Sequence, residues 1–270
     1  SSEIKALLFL IKNNLEIDYE SIQKYLTYLW CPGDGTPATN IKKVLPGQVL
    51  TINDGQIISK NIWYQLPQTK HLPKIKTSKE AVNQLRKTLS NAVKRQIIAD
   101  VPVGSFLSGG LDSSAIVALA KKYVKDLNCF TIEPIGGSDD DVAEDLPYAI
   151  KVAKHLDVKL EVVQINSDGL TKDLEEMVWM LDEPLADPAP LNVLYISRLA
   201  RENGMKVLLS GSGGDDLFTG YRRHLALNYE KLWSWLPIQA RKKIETFSLK
   251  ADQNKSFGRR LSNLFNNASS

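Results

Sequence analysis

The sequence predicts an α/β fold: a parallel sheet with helices on both faces. Three observations predict it. From Ser78 onward, short apolar runs alternate with longer amphipathic stretches, the pattern of strands joined by crossover helices. Two of those runs, VPVGSFL and KVLL, pass straight into the Gly-rich turns SGGLDSS and SGSGG. The composition, 43% hydrophobic and 24% charged over 270 residues, is that of a globular chain able to build such a core in one large or two small domains.

The elements read in order as follows. Ile4, Leu7, Leu8, Leu10 and Ile11 form an apolar patch at helical spacing. Asp18 reads as an N-cap, because Ile22, Tyr25, Leu26 and Leu29 follow at i, i+3, i+4, i+7. That helix stops before the turn cluster Cys31-Pro32-Gly33-Asp34-Gly35. QVLTINDGQIISKNIWY alternates around Asn53-Asp54-Gly55 and reads as a β-hairpin. QLPQTKHLPKIKT, residues 65–77, reads as a linker. Ser78–Ile98 is a helix with Ala81, Val82, Leu85, Leu89, Val93 and Ile97 on one face.

The α/β core follows. The strand at residues 101–107 leads through the turn SGGLDSS to a helix, AIVALAKKYV, whose inner face is Ile116, Val117, Leu119, Ala120 and Val124. Cys129–Ile132 is a strand, GGSDDDVAED an acidic turn that reads as a solvated loop, with a metal site as the alternative, Pro147–His155 a helix and Leu160–Val163 a third strand. Leu170–Leu181 is a helix ending at Asp182-Glu183-Pro184. Leu191–Arg201 is another, stopped by Gly204, and Lys206–Leu209 is a buried strand. Past Tyr221, Tyr229–Phe247 reads as helical, with Arg222, Arg223, Lys231, Arg241, Lys242 and Lys243 on polar faces.

The first Gly-rich turn carries the chemistry. Strand, tight turn and helix N-terminus together present backbone N–H groups and a favourable dipole to an anion. Gly109 and Gly110 allow a sharp bend and close approach, and Ser108, Ser113 and Ser114 add hydroxyls. Asp112 is the odd member: beside a phosphate it repels unless a divalent cation lies between them, so the loop predicts phosphate plus Mg²⁺. There is no lysine of the GxxxxGK(S/T) kind. The second turn, Ser210 to Gly214, also ends a strand and is followed by Asp215 and Asp216. Ligands of open parallel sheets sit beyond the carboxyl ends of strands, so Asp112 and Asp215 form a carboxylate pair for one Mg²⁺ if both turns face one crevice.

Charge and composition narrow the partners. Lys+Arg 34 against Asp+Glu 31 gives a net charge of +3, too mild to argue for nucleic acid. Cys31 and Cys129 lie far apart and form no CxxC pair, which fits a reducing, cytoplasmic setting. His71, His155 and His224 are scattered without a zinc spacing. No run of about 20 apolar residues predicts a membrane span. The opening SSEIKALLFL lacks a signal-peptide pattern and reads as the middle of a domain; the expectation is a fragment.

SGGLDS is similar to the signature of the ATP pyrophosphatases, which cleave ATP between the α and β phosphates. With EPLADP at 183–188 and LSGSGGDDLFTGY at 209–221 following in order, the chain resembles the synthetase domain of the glutamine-hydrolysing asparagine synthetases of the B type. SEIKALL, YLTYLW and IKKVLPGQ resemble the tail of that family's Ntn-hydrolase glutaminase domain. The resemblance implies residues 1–70 as a mostly β glutaminase remnant and 71–270 as an ATP-pyrophosphatase domain of the adenine nucleotide alpha hydrolase-like kind.

It implies an adenine pocket at Phe106 and Ile132. It implies a pyrophosphate loop of Ser108, Gly109, Gly110, Asp112 and Ser113, nucleotide contacts from Ser210 and Gly211, and Mg²⁺ on Asp112 and Asp215. The implied reaction is adenylation of a carboxylate, aspartate or a related acid, followed by amide formation with ammonia from glutamine. ATP, the acceptor acid and ammonia or glutamine are the implied small-molecule partners, and a homodimer is compatible with it. The other readings are a nucleotide-binding homologue without synthetase activity and another ligase of the group, such as an argininosuccinate, NAD or GMP synthetase.

The chain departs from the family's pattern in three places. The glutaminase's N-terminal cysteine has no counterpart; Cys31 is internal and reads as structural, so this chain is not expected to hydrolyse glutamine. Ser212 stands where the asparagine synthetases carry a glutamate, and Asp216 replaces a second one. A hydroxyl cannot serve as a carboxylate base, which leaves the acceptor acid open. The family's catalytic lysine lies further along than this chain extends.

Overall fold

The computed structural model describes residues 1–11, 15–67, 75–135, 145–187, 189–221, 224 and 235–249. Most of the acidic turn, the middle of the 65–77 linker, Arg222, Arg223, Lys231 and the start of the expected 229–247 helix lie outside the described residues. The chain divides into two compact units, residues 1–210 and 211–270.

In the first unit, α1 (Ile4–Leu10) and α2 (Tyr19–Tyr28) precede a two-stranded antiparallel hairpin of β1 (Gln48–Asn53) and β2 (Gln56–Ile62). Asp18 caps α2 as expected, accepting from the Ser21 N–H at 3.1 Å. The hairpin turns at Asp54 and Gly55, both left-handed (φ 49° and 75°), as a tight two-residue turn requires. Then come α3 (Ser78–Gln96), β3 (Val103–Phe106), α4 (Leu111–Ala120), β4 (Asn128–Ile135), α5 (Asp145–Leu156), β5 (Lys159–Asn166), α6 (Ser167–Leu181), α7 (Ala189–Glu202) and β6 (Val207–Leu209).

The four core strands pair in parallel in the order β5-β4-β3-β6. Side-chain alternation along them gives the sheet two buried faces. On one face Val103, Leu107, Cys129 and Leu209 pack against Val93 of α3, Val117 and Ala120 of α4, and Ala149 and Ala153 of α5. On the other, Phe130 packs with Ile196 and Ala200 of α7, joined by Phe106, Ile132, Val163 and Leu208. The expected sheet with helices on both faces is therefore the observed one. The chain steps outward from β3 through β4 to β5, then returns to lay β6 along the other edge of β3. Strand order reverses at β3, the place where open α/β sheets bind ligands.

Most elements start or end a few residues from their expected bounds, and α4 ends at Ala120 rather than Val124; the difference that bears on the site is at the first Gly-rich turn. Leu111 to Ser114, read as turn, already belong to α4. Serine favours turns because its hydroxyl competes for backbone groups, but here the Ser114 N–H donates to the Gly110 carbonyl at 3.1 Å and closes the first helical turn.

The front segments are tied to the α6–α7 connection. The Ile4 N–H donates to Asp182 Oδ2 at 2.7 Å, Lys5 pairs with the same carboxylate, Lys43 Nζ reaches Glu183 Oε2 at 3.0 Å, and the Ala186 N–H donates to the Leu29 carbonyl at 2.9 Å. Burial pushes the Asp182 carboxyl up; the Lys5 ammonium and Ile4 N–H outweigh it and hold it below the ordinary carboxylate value.

Both cysteines are free and buried. Burial pushes the Cys129 thiol up to about 12. Burial, then the Glu183 carboxylate, also raises Cys31, against the opposing pull of Lys43. The thiolate is the reactive form, so neither cysteine is expected to react with a thiol reagent at pH 8 until the protein is denatured, when both do; a colorimetric thiol count checks this.

The second unit contains α8 (Gly214–Phe218) and α9 (Ile238–Leu249); the helix expected over Tyr229–Phe247 is described only as α9. No helix among the described residues is long and apolar enough to cross a membrane.

Candidate nucleotide site

The site begins where β3 ends. The Leu107 N–H still donates to the Phe130 carbonyl at 2.9 Å, so the ladder with β4 holds up to the residue before the turn. Ser105, fully buried, donates its hydroxyl to the Leu209 carbonyl at 3.3 Å and ties β3 to β6. The turn is thus mounted on both neighbouring strands.

Gly109 makes the bend at φ +86°, a conformation open to glycine and costly for other residues. A Cβ there would lie 2.4 Å from the Ala149 backbone nitrogen and 2.7 Å from both the carbonyl carbon and Cβ of Tyr148. The turn is pressed directly onto α5, so Gly109 is required twice, for conformation and for space.

Beyond the bend, the hydroxyls gather. Ser108 Oγ and Ser113 Oγ are 3.1 Å apart, and Ser113 donates to the Gly110 carbonyl at 3.2 Å. Gly110 is the N-cap of α4 and has no side chain to satisfy the first turn's N–H groups, which leaves them for another acceptor. Ser114 Oγ is buried without a hydrogen-bond partner among the described residues. Asp112 lies in the first helical turn. An uncapped helix start, clustered hydroxyls and an orphaned buried oxygen fit a polyphosphate; carboxylate and hydroxyl oxygens are the hard donors that suit Mg²⁺. Among the described residues no three His, Cys, Asp or Glu side chains gather into a metal cluster of their own.

Phe106 and Ile132 lie on neighbouring strands and share the α7 face, both half-buried against Phe130, Ile196 and Ala200. Ser210 follows β6, the sheet neighbour of β3, and is exposed. The structure therefore brings Phe106, Ile132, the 108–113 turn and the end of β6 to the carboxyl edge of one sheet.

Gly211, Ser212 and Asp215 belong to the second unit. There Gly213 is left-handed (φ 88°) and precedes α8, whose first turn carries Asp215 and Asp216. The Gly220 N–H donates to the Asp215 carbonyl at 2.9 Å. A Cβ on Gly220 would lie 1.7 Å from Asp215 Oδ1, so the carboxylate rests where a side chain at 220 would be. Sequence reasoning missed both this seat and the contact of Gly109 with α5. The glycine in LFTGY was the signal for the first; the second left none, because it joins residues of separate elements.

The asparagine synthase family model matches residues 84–269, and the chain belongs to that family. It is 35% identical over 224 residues to a glutamine-hydrolysing asparagine synthetase of Bacillus subtilis, covering 82% of this chain and 34% of that protein. A putative glutamine-hydrolysing asparagine synthetase of Mycobacterium tuberculosis is 35% identical over 227 residues, with 82% and 34% covered. The chain thus spans about a third of the length of these relatives. An NH3-dependent NAD synthetase of Campylobacter jejuni aligns at a TM-score of 0.37 and 15% identity, over 69% of this chain and 92% of that one.

Proposed function

We propose that this chain is the nucleotide-binding part of an ATP-dependent amide-forming ligase that adenylates a carboxylic acid. The observation that carries the reading is the turn at residues 108–113: a left-handed glycine pressed on α5, paired hydroxyls and an uncapped helix start, at the point where the strand order of the sheet reverses. Family membership supports it.

In this reading Phe106 and Ile132 flank the adenine, with Ser210 and Gly211 contacting the nucleotide. Ser108, Gly109, Gly110 and Ser113 hold the β and γ phosphates through hydroxyl and N–H donors. Asp112 and Asp215 are the proposed Mg²⁺ ligands, and the ion would neutralise charge on the phosphates when bound. An oxygen of the acceptor carboxylate attacks the α-phosphorus and the bond to the β-phosphate oxygen breaks. The turn's donors stabilise the charge arriving on pyrophosphate. Ammonia then attacks the acyl carbon, AMP leaves with the bonding pair, and a proton is lost to give the amide. The front segments 1–70 are assigned to a glutaminase remnant and 71–270 to the synthetase domain.

Ser212 is exposed and carries no carboxylate, so the acceptor acid is decided by experiment. ATP–pyrophosphate exchange in the full-length protein, run with aspartate and with a panel of other carboxylic acids, is expected to be supported by at least one acid. Binding of ATP with no exchange from any acid would establish a nucleotide-binding homologue instead.

A further inference from the structure

The turn that would hold the phosphates is short of positive charge. Residues 103–120, the whole of β3, the turn and α4, contain no lysine, arginine or histidine, and their one ionised group is the carboxylate of Asp112. Backbone N–H groups supply only partial charges. The contact at Gly109 brings α5, a helix that carries lysines, against the bend. The second turn of α5 lies directly against the bend, and the Tyr148 side chain starts there, its Cβ 2.7 Å from the point a Cβ on Gly109 would occupy. Lys151 follows one helical turn later. Helical side chains lean toward the N-terminus of their helix, and the Lys151 ammonium accordingly stands over the Tyr148 ring, 5.2 Å from its centroid. Tyr148 is 56% exposed, so its ring is no core residue. The ring instead carries a cation, on a side chain whose Cβ starts at the bend.

Resting on the nucleotide reading above, we propose that Lys151, held over Tyr148, is a binding residue for the polyphosphate end of the nucleotide and for the pyrophosphate that leaves. A compact ammonium on a flexible stem suits this role, since it acts on phosphate as a point charge without fixed geometry. The attraction of an aromatic face keeps the ammonium near the turn when no phosphate is bound. The competing role for Lys151 is to pair with the acidic run that precedes α5 in sequence, Asp139 to Asp141.

The test is equilibrium binding of Mg·ATP, inorganic pyrophosphate and adenosine to the full chain and its variants. Lys151→Met is expected to weaken pyrophosphate and Mg·ATP about three- to tenfold, with adenosine unchanged and the melting temperature preserved. Lys151→Arg keeps most of the affinity, and Tyr148→Leu loses part of it. The difference between wild type and Lys151→Met fades at about 0.5 M salt, where exposed charges are screened. Pyrophosphate binding to Lys151→Met at wild-type affinity overturns the proposal, as does an equal loss for adenosine. A wild-type chain that binds adenosine, ATP and pyrophosphate not at all overturns the nucleotide reading itself, and this proposal with it.

Discussion

Gly109→Ala is expected to lower the melting temperature and to abolish nucleotide binding together. The added methyl meets backbone, the Ala149 nitrogen at 2.4 Å and the Tyr148 carbonyl carbon at 2.7 Å, and no side-chain rotation relieves it. The left-handed φ of +86° adds a second cost. Strain of the first kind costs about 1–3 kcal/mol and the second about 1–2 kcal/mol, so a loss on the order of 3 kcal/mol is expected. Gly204→Ala separates the terms: Gly204 is also left-handed, φ +78°, but a Cβ there meets nothing within 4 Å. It should show the smaller, conformational loss alone and keep ATP affinity. Thermal melting and ATP titration of both variants decide it; equal losses would mean that the contact between the turn and α5 is not what Gly109 serves.

This contact also marks the limit of what was legible in the sequence. Strands and helices of the core were readable because each is a local pattern. Val103 to Phe106, Cys129 to Ile132 and Val207 to Leu209 are short apolar runs bounded by polar or small residues, and α3 and α7 carry their apolar residues at helical spacing. The hairpin was readable from Asn53-Asp54-Gly55, whose chemistry fits the left-handed turn it makes. The shift in register between Thr51 and Ile52 was not, since an irregular pairing depends on the partner strand. The start of α4 is hidden in the sequence because serine and glycine carry turn propensity, and the packing of Val117 and Ala120 overrides it. Strand order, the seating of Gly109 on α5, and the Lys5 and Lys43 ties to Asp182 and Glu183 are long-range facts, set by how elements stack rather than by any one segment.

The two proposed Mg²⁺ ligands call for two different substitutions. Asp112→Asn is expected to remove Mg²⁺-dependent nucleotide binding, because the amide keeps the shape of the side chain and loses the charge that holds a hard cation. Gly220→Ala is expected to weaken the same function by another route. Its Cβ falls 1.7 Å from Asp215 Oδ1 and 2.7 Å from Asp215 Cγ, so the obstructing group is the end of one side chain, which rotates away. Unlike Gly109, Gly220 has no left-handed φ to strain. The fold should therefore survive with little change in melting temperature while the Asp215 carboxylate is re-aimed. Displacing a group that positions a metal ligand costs about 10–100-fold in metal affinity, so the Mg²⁺ needed for half-maximal ATP binding should rise about tenfold. Mn²⁺ binding in the presence of ATP, followed by paramagnetic resonance, reads the metal directly and without turnover. Asp112→Asn that leaves Mn²⁺ and Mg·ATP binding intact removes Asp112 from the metal site. Gly220→Ala that matches wild type in Mn²⁺ affinity removes Asp215, since its carboxylate cannot stay where the new methyl stands.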